Sequence, residues 1–274
     1  MTSSDLPVLL ALDVDGTLLD GQGHLTPKRA AAITAVSRQI RTVFATGKTW
    51  PSIVDLVRRF GLDGPHIICN GAATAMSTGE IEVLDALPAA VSSLVIQELR
   101  RRDIAFAVYR ADGSILADTY RPEFDRITDL GEAHPEYGPI AADGQGASNG
   151  NGTAAMAVLK VLAVLEEQEE SDLRELCADR AHIQRTGPHF LEWNNPHASK
   201  GAALTHLSRE HGWPLADMVA VGDSENDASM FRVAGTGVAV ASASAAALAA
   251  ADVHLTEDVA AFLEALLRPV EAAG

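Results

Sequence analysis

Leu9–Leu18, LLALDVDGTL, decides the fold. Val8 to Leu12 is an unbroken apolar run of strand length, the pattern of a strand buried on both faces. It gives way to Asp13, Asp15 and Gly16. An Asp–Gly pair is a common turn former, which accounts for Asp15 and Gly16. Asp13 has no such role. It is an ionisable group at the mouth of an apolar strand, where lost hydration and a neighbouring carboxylate both oppose its charge. A bound cation with a reacting phosphate beside it removes both objections.

Reading outward, Thr26 can N-cap a helix that has Pro27 at its first position and turns Ala30, Ile33 and Val36 inward. A strand over Arg41–Ala45 ends in Thr46-Gly47-Lys48. A helix with Ile53, Leu56, Val57 and Phe60 at helical spacing stops at Gly61. A third strand, His66–Cys69, runs into Asn70–Gly71. This alternation implies parallel strands, with the loops at their carboxyl ends gathered along one edge.

From about Ala72 to Asn195 the pattern changes. Strands are expected at Ile81–Leu84, Ile104–Tyr109, Met156–Val164, His182–Arg185 and His189–Asn194. Helices carrying Val91, Leu94, Val95 and Leu99, and Leu173 and Leu176, separate them. Asp143–Thr153 reads as a mobile loop or a disordered tip. The parallel pattern resumes at Ser199, an N-cap for a helix with Leu204 and Leu207 that ends at Gly212. A buried strand, Met218–Val221, then leads into GDSEND. The fold class is α/β: a parallel-sheet core from residues 1–71 and 196–274, with an α+β insert over 72–195.

Composition narrows the functions. The 274 residues carry a formal charge of −16, which argues against nucleic-acid or anionic-membrane surfaces. Two cysteines, Cys69 and Cys177, show neither metal spacing nor a disulfide framework, and a reducing cytoplasm is expected. No secretory signal is expected at the start, because Asp13 cuts its apolar run. Val233–Ala251, though uncharged, is almost all small residues and reads as a short strand and an Ala-rich helix rather than a membrane span.

If the strands are parallel, Asp13, Asp15, Thr46, Lys200, Asp223 and Asp227 share one edge. Four carboxylates in a partly dry cleft repel by several kcal/mol unless cations intervene. Lys200 and a divalent metal supply the compensation. Oxygen-only ligands select Mg²⁺ over Zn²⁺.

DVDGTL, TGK, SKG and GDSENDASM, in this order, resemble the haloacid dehalogenase superfamily of aspartate-nucleophile phosphotransferases, and within it the Cof-type sugar-phosphate phosphatases. The resemblance implies a Rossmann-like core and a cap domain inserted between the second and third motifs. It makes Asp13 the nucleophile and Asp15 the general acid and base, with the Asp15 backbone carbonyl a further metal ligand. Thr46 and the Gly47 N–H correspond to phosphate holders, Lys200 to the neutralising cation and Asp223 to a metal ligand. Asn226 and Asp227 correspond to supports for phosphate, metal or Lys200. Lys48 stands where the family usually has arginine, and no role carries over to it.

The expected activity is Mg²⁺-dependent hydrolysis of a small phosphorylated metabolite, with a sugar phosphate foremost. A phosphomutase or phosphotransferase would use the same nucleophile. A phospho-accepting regulatory domain would have no need of Asp15 or of a water-excluding insert. In the insert, alternation places Leu191 and Trp193 on one face of their strand, and Glu192 and Asn194 on the face toward the cleft. Lys160 joins that open face. Glu192 and Lys160 read equally as substrate contacts or as a pair on a solvated sheet. Asn70–Gly71 reads first as a turn and second as a substrate contact.

Overall fold

The computed structural model describes residues 6–129, 131–141, 156–166 and 170–267. The expected Asp143–Thr153 loop lies outside them. The chain opens with β1 (Leu9–Leu12), α1 (Pro27–Val36), β2 (Thr42–Phe44), α2 (Trp50–Phe60) and β3 (His66–Ile68). A hairpin of β4 (Ala73–Ala75) and β5 (Ile81–Val83) follows. The cap comprises α3 (Ala89–Arg101), β6 (Ala105–Arg110), β7 (Ile115–Ala117), α4 (Asp125–Asp129), β8 (Glu136–Tyr137), β9 (Val158–Val164), α5 (Ser171–Glu175), β10 (His182–Thr186) and β11 (Phe190–Asn194). The chain closes with α6 (Lys200–His211), β12 (Met218–Gly222), α7 (Ala228–Phe231), β13 (Thr236–Ala239), α8 (Ala245–Ala250), β14 (Val253–His254) and α9 (Val259–Leu266).

The core sheet runs β14-β13-β12-β1-β2, parallel throughout, with β1 flanked by β12 and β2. Every residue of β1 is buried, as an apolar strand covered on both faces by helices requires. Beyond β2 the parallel order continues through one bridge, Ala45 to Ile67. His66 reinforces that join: its Nδ1 accepts from the Phe44 N–H at 3.0 Å, and burial pushes the imidazole down to about 4, so the ring stays neutral. The strand expected at Ile81–Leu84 departs from the reading above. As β5 it pairs antiparallel with β4, which pairs with β3, so the hairpin extends this edge of the core rather than the insert's sheet.

The cap sheet runs β10-β11-β9-β6-β7-β8. One face packs on α3, and Val91, Val95 and Leu99 share a hydrophobic cluster with Leu191 and Trp193. Leu94, grouped above with the inward residues of α3, is instead 37% exposed. The other face looks back at the carboxyl edge of the core sheet. Val233–Ala251 forms β13 and α8. No helix among the described residues is long and apolar enough to cross a membrane.

Candidate active site

Four strand ends and the start of α6 deliver the polar residues. Asp13 leaves β1 with its N–H bonded to the Val221 carbonyl at 2.9 Å, which holds it against the end of β12. Lys200 opens α6, whose Ser199 N-cap accepts from the Ala202 N–H. The buried Lys200 ammonium donates to Asp13 Oδ1 at 2.7 Å and to Asp227 Oδ1 at 2.6 Å. Asp227 Oδ2 accepts from the backbone N–H groups of Asp223 and Ser224, both at 2.9 Å. Asp227 thus fixes both the lysine and the loop that carries Asp223. Thr17 Oγ1 donates to Asp223 Oδ1 at 3.2 Å. Gly16, at φ +79°, lies so close that a Cβ there would sit 2.5 Å from Asp223 Oδ2. The Asp–Gly turn therefore has a second requirement that the sequence does not display.

Charge in this cluster is unbalanced. Ligand atoms of Asp13, Asp223 and Asp227 lie within 4.8 Å of one another, and Lys200 is the ammonium bonded to two of them. Burial pushes the Asp13 carboxyl well above its ordinary range, and Asp227 and Asp223 add to the push against the opposing pull of Lys200. Burial and Asp227 push Asp223 up as well. For Lys200, burial works against the charged form, yet Asp13 and Asp227 prevail and hold its pKa above the usual lysine range. Asp13 Oδ2 is buried and has no hydrogen-bond partner among the described residues. An orphaned carboxylate oxygen, surplus negative charge and all-oxygen donors fit a hard divalent cation such as Mg²⁺.

The loop after β2 closes one side. Thr46 is fully buried and its Oγ1 accepts from the Lys48 N–H at 3.1 Å. Lys48 is buried too, and its Nζ lies 3.3 Å from Oδ1 of the half-exposed Asp15. Lys48, without an assigned role above, therefore holds the Asp15 carboxylate. Asn226 sits across from this loop, its Nδ2 donating to Asn70 Oδ1 at 2.9 Å.

A cleft of about 570 Å³ separates this edge from the cap, with Asp13, Asp15, Lys48, Asn70, Lys160 and Glu192 among its walls. Lys160 and Glu192 pair at 3.0 Å, and both are 2% exposed. Glu192 and Lys160 thus pair with each other, as one of the two readings above has it, but on a buried face and not a solvated one. Lys160 Nζ lies 4.2 Å from the centre of the Tyr109 ring and also donates to the Gly47 carbonyl at 3.1 Å. Asn194 needs correction. Register places it opposite Lys160, but it is buried, outside the cleft wall, with neither amide atom partnered among the described residues. It sits where the two core–cap crossings run side by side, tied by Asn195 Nδ2 to the Ala86 carbonyl at 2.7 Å.

Glu132 has no counterpart in the sequence reading. Its Oε2 accepts from Ser52 Oγ at 2.6 Å and from the Thr49 N–H and Oγ1 at 3.3 Å each. It thereby caps α2 from across the cleft, where Thr49 makes no side-chain cap of its own. No motif or periodicity marks Glu132, and this partnership exists only in three dimensions.

The sequence model of the haloacid dehalogenase-like hydrolases matches residues 10–261. The chain belongs to that family and, within it, to the phosphoric monoester hydrolases of the Cof type. It is 28% identical to pyridoxal phosphate phosphatase YbhA of Escherichia coli strain K12, over 93% of this chain and 97% of the relative. It is also 28% identical to the HMP-PP phosphatase of Serratia proteamaculans strain 568, over 84% of this chain and 82% of the relative. Among solved structures, a haloacid dehalogenase-like hydrolase from Bacteroides thetaiotaomicron superimposes with a TM-score of 0.79 at 22% identity, covering 94% of this chain and 98% of that one.

Proposed function

We propose that the protein is a Mg²⁺-dependent phosphatase that hydrolyses a small phosphorylated metabolite, a sugar phosphate foremost, through an aspartyl-phosphate on Asp13. The observation that carries this reading is the buried, unpartnered Asp13 Oδ2 beside Asp223, with Lys200 already committed to Oδ1. One carboxylate oxygen of Asp13 attacks phosphorus while Lys200 restrains the side chain and offsets its charge. Asp15, steadied by Lys48, passes a proton to the leaving oxygen and afterwards takes one from the water that cleaves the acyl phosphate. Thr46, Gly47, Lys200 and Asn226 hold the phosphoryl oxygens. Asp13, Asp223 and the Asp15 carbonyl hold Mg²⁺, which supplies charge neutralisation and in-line alignment when bound. Asp227, with both oxygens engaged, supports that site by fixing Lys200 and Asp223.

In this reading α3 through β11 act as the cap, and residues 1–71 and 196–274 together with the β4–β5 hairpin act as the core. Lys160 and Glu192 line the leaving-group end of the cleft. The free, buried Cys69 and Cys177 support a cytoplasmic location. The relatives' names add pyridoxal phosphate to the substrates worth testing.

Free phosphate measured on a panel of sugar phosphates and pyridoxal phosphate tests the reading. Wild type should turn over at least one of them with Mg²⁺, lose activity to a chelator and regain it with Mg²⁺. Asp13→Asn should lower turnover by on the order of 10³-fold or more while the thermal transition persists. Near-normal turnover by a folded Asp13→Asn protein would rule the mechanism out.

A further inference from the structure

Asn70 stands where the loops after β2 and β12, the start of α6 and the cap come together. It follows β3 on a tight turn over Cys69–Gly71, where Cys69 and Asn70 take φ of +47° and +57°. Two successive non-glycine residues in the left-handed region store strain, which the surroundings must hold in place. They do so through the phosphate loop: the Asn70 N–H donates to the Thr46 carbonyl at 3.0 Å, and the Cys69 N–H donates to the Lys48 carbonyl at 2.9 Å. Gly71, at φ +94°, is pressed against the Ser199 carbonyl, where a Cβ would come within 2.1 Å. The turn is wedged between the loop after β2 and the start of α6.

The side chain then faces two ways. Asn70 Nδ2 donates to Glu192 Oε2 of the cap at 3.3 Å, and Oδ1 accepts from Asn226 Nδ2 of the core at 2.9 Å. A carboxylate only accepts, so Glu192 settles which amide atom faces it and which faces Asn226. Asn226 Oδ1 in turn accepts from Ser224 Oγ at 2.6 Å. The Ser224 N–H donates to Asp227, which binds the Lys200 ammonium, which binds Asp13. One unbroken series of polar contacts joins the cap's Glu192 to Asp13, and Asn70 is the link between the cap and Asn226. The Asn70 carboxamide also abuts Gly47, where an added Cβ would lie 2.9 Å from Oδ1.

We propose that Asn70 is a positioning residue that couples closure of the cap to the arrangement of the phosphate-holding loops. With the cap down, its amide donates to Glu192 and presents a fixed acceptor to Asn226. With the cap raised, Glu192 no longer orients the amide, and Asn226 loses its fixed partner. The kinetic consequence rests on the phosphatase reading above; the structural consequence does not.

A polarity swap tests the coupling. Asn70→Asp sets two carboxylates against each other and should loosen the cap. Glu192→Gln alone weakens the Lys160 pair. Together they rebuild the contact with donor and acceptor exchanged, provided the amide of Gln184, whose Nε2 donates to the same Glu192 oxygen at 3.2 Å, turns over to accept. The amide introduced at position 192 donates to the carboxylate introduced at position 70, which still accepts from Asn226. The carbonyl oxygen of that same amide still accepts from Lys160. Closure is read by amide hydrogen exchange at Thr49 and Ala133, whose N–H groups bond across the cleft to Glu132 Oε2 and Ser52 Oγ. Asn70→Asp should speed exchange at both by about tenfold, and the double variant should return them to within roughly threefold of wild type. On the substrate found above, kcat/KM should fall about tenfold or more in Asn70→Asp, mainly in kcat, and recover in the double variant. Exchange rates in the double variant equal to the product of the two single effects would overturn the proposal. So would unchanged exchange in Asn70→Asp. A wild type without phosphatase activity would sink the functional reading alone, because the exchange measurement still decides the coupling.

Discussion

The protein holds two buried carboxylate clusters, each built around one lysine, and they are resolved in opposite ways. In the core, Lys200 faces Asp13 and Asp227 with Asp223 beside them, and Asp13 Oδ2 is left without a partner among the described residues. In the cap, Lys160 faces Glu192 and Glu132, and both glutamates find further donors: Asn70 and Gln184 for Glu192, Thr49 and Ser52 for Glu132. The core's surplus charge is left open by the described residues around it. That of the cap is met by N–H and O–H groups, largely on the opposing core loops. Surplus charge left open marks a place for a cation and a phosphate. Surplus charge closed by donors across a cleft marks a contact that holds two parts together.

Removing each lysine separates the two cases most widely. Lys200→Met strands buried carboxylates with few other donors and should cost about 3–5 kcal/mol. Lys160→Met leaves its glutamates with their core donors and should cost less, about 2 kcal/mol. Denaturant unfolding of the metal-free proteins measures the difference, and Mg²⁺ should narrow the loss for Lys200→Met but not for Lys160→Met. Equal losses, with equal response to Mg²⁺, would remove the distinction.

A second test uses pH. Asp13 and Asp223 are both held above the ordinary aspartate value of 3.8 in the metal-free fold. A carboxyl raised by folding binds its proton more tightly when folded. Its stabilising contribution is therefore present below 3.8 and is lost as pH climbs through the folded value. Mg²⁺ needs the ionised oxygens, so the rise in Tm on adding it should grow with pH over the range above 3.8. A constant rise across that window would place the cation elsewhere.

The smallest expected effect concerns the cap contact. Ser52→Ala removes the 2.6 Å bond to Glu132 and the acceptor for the Ala133 N–H. It should lower stability by about 1.5 kcal/mol and raise KM more than it lowers kcat. A fall confined to kcat would show that Ser52 acts on the chemistry and not on closure.

The family motifs and the parallel order of the core could be read from the chain because each is local. An apolar strand, a turn residue and the polar group after it lie close together in sequence, and parallel topology sends every such end to the same edge. That puts Asp13, Asp15, Thr46, Lys200, Asp223 and Asp227 on one edge from the sequence alone. The alternation of β11 likewise put Glu192 toward the cleft and Trp193 into the cap's interior. Tertiary structure alone decided the rest. Lys48 meets Asp15 across a loop, Glu132 caps a helix that starts far earlier in the chain, and β4–β5 joins the core's edge despite its composition. Asn70 is the clearest case: an Asn–Gly pair has the same local meaning wherever it occurs. Its partners, Glu192 and Asn226, lie 122 and 156 residues away. Local pattern reports what a residue prefers for its own backbone; which distant group satisfies its side chain is set only when the sheets pack.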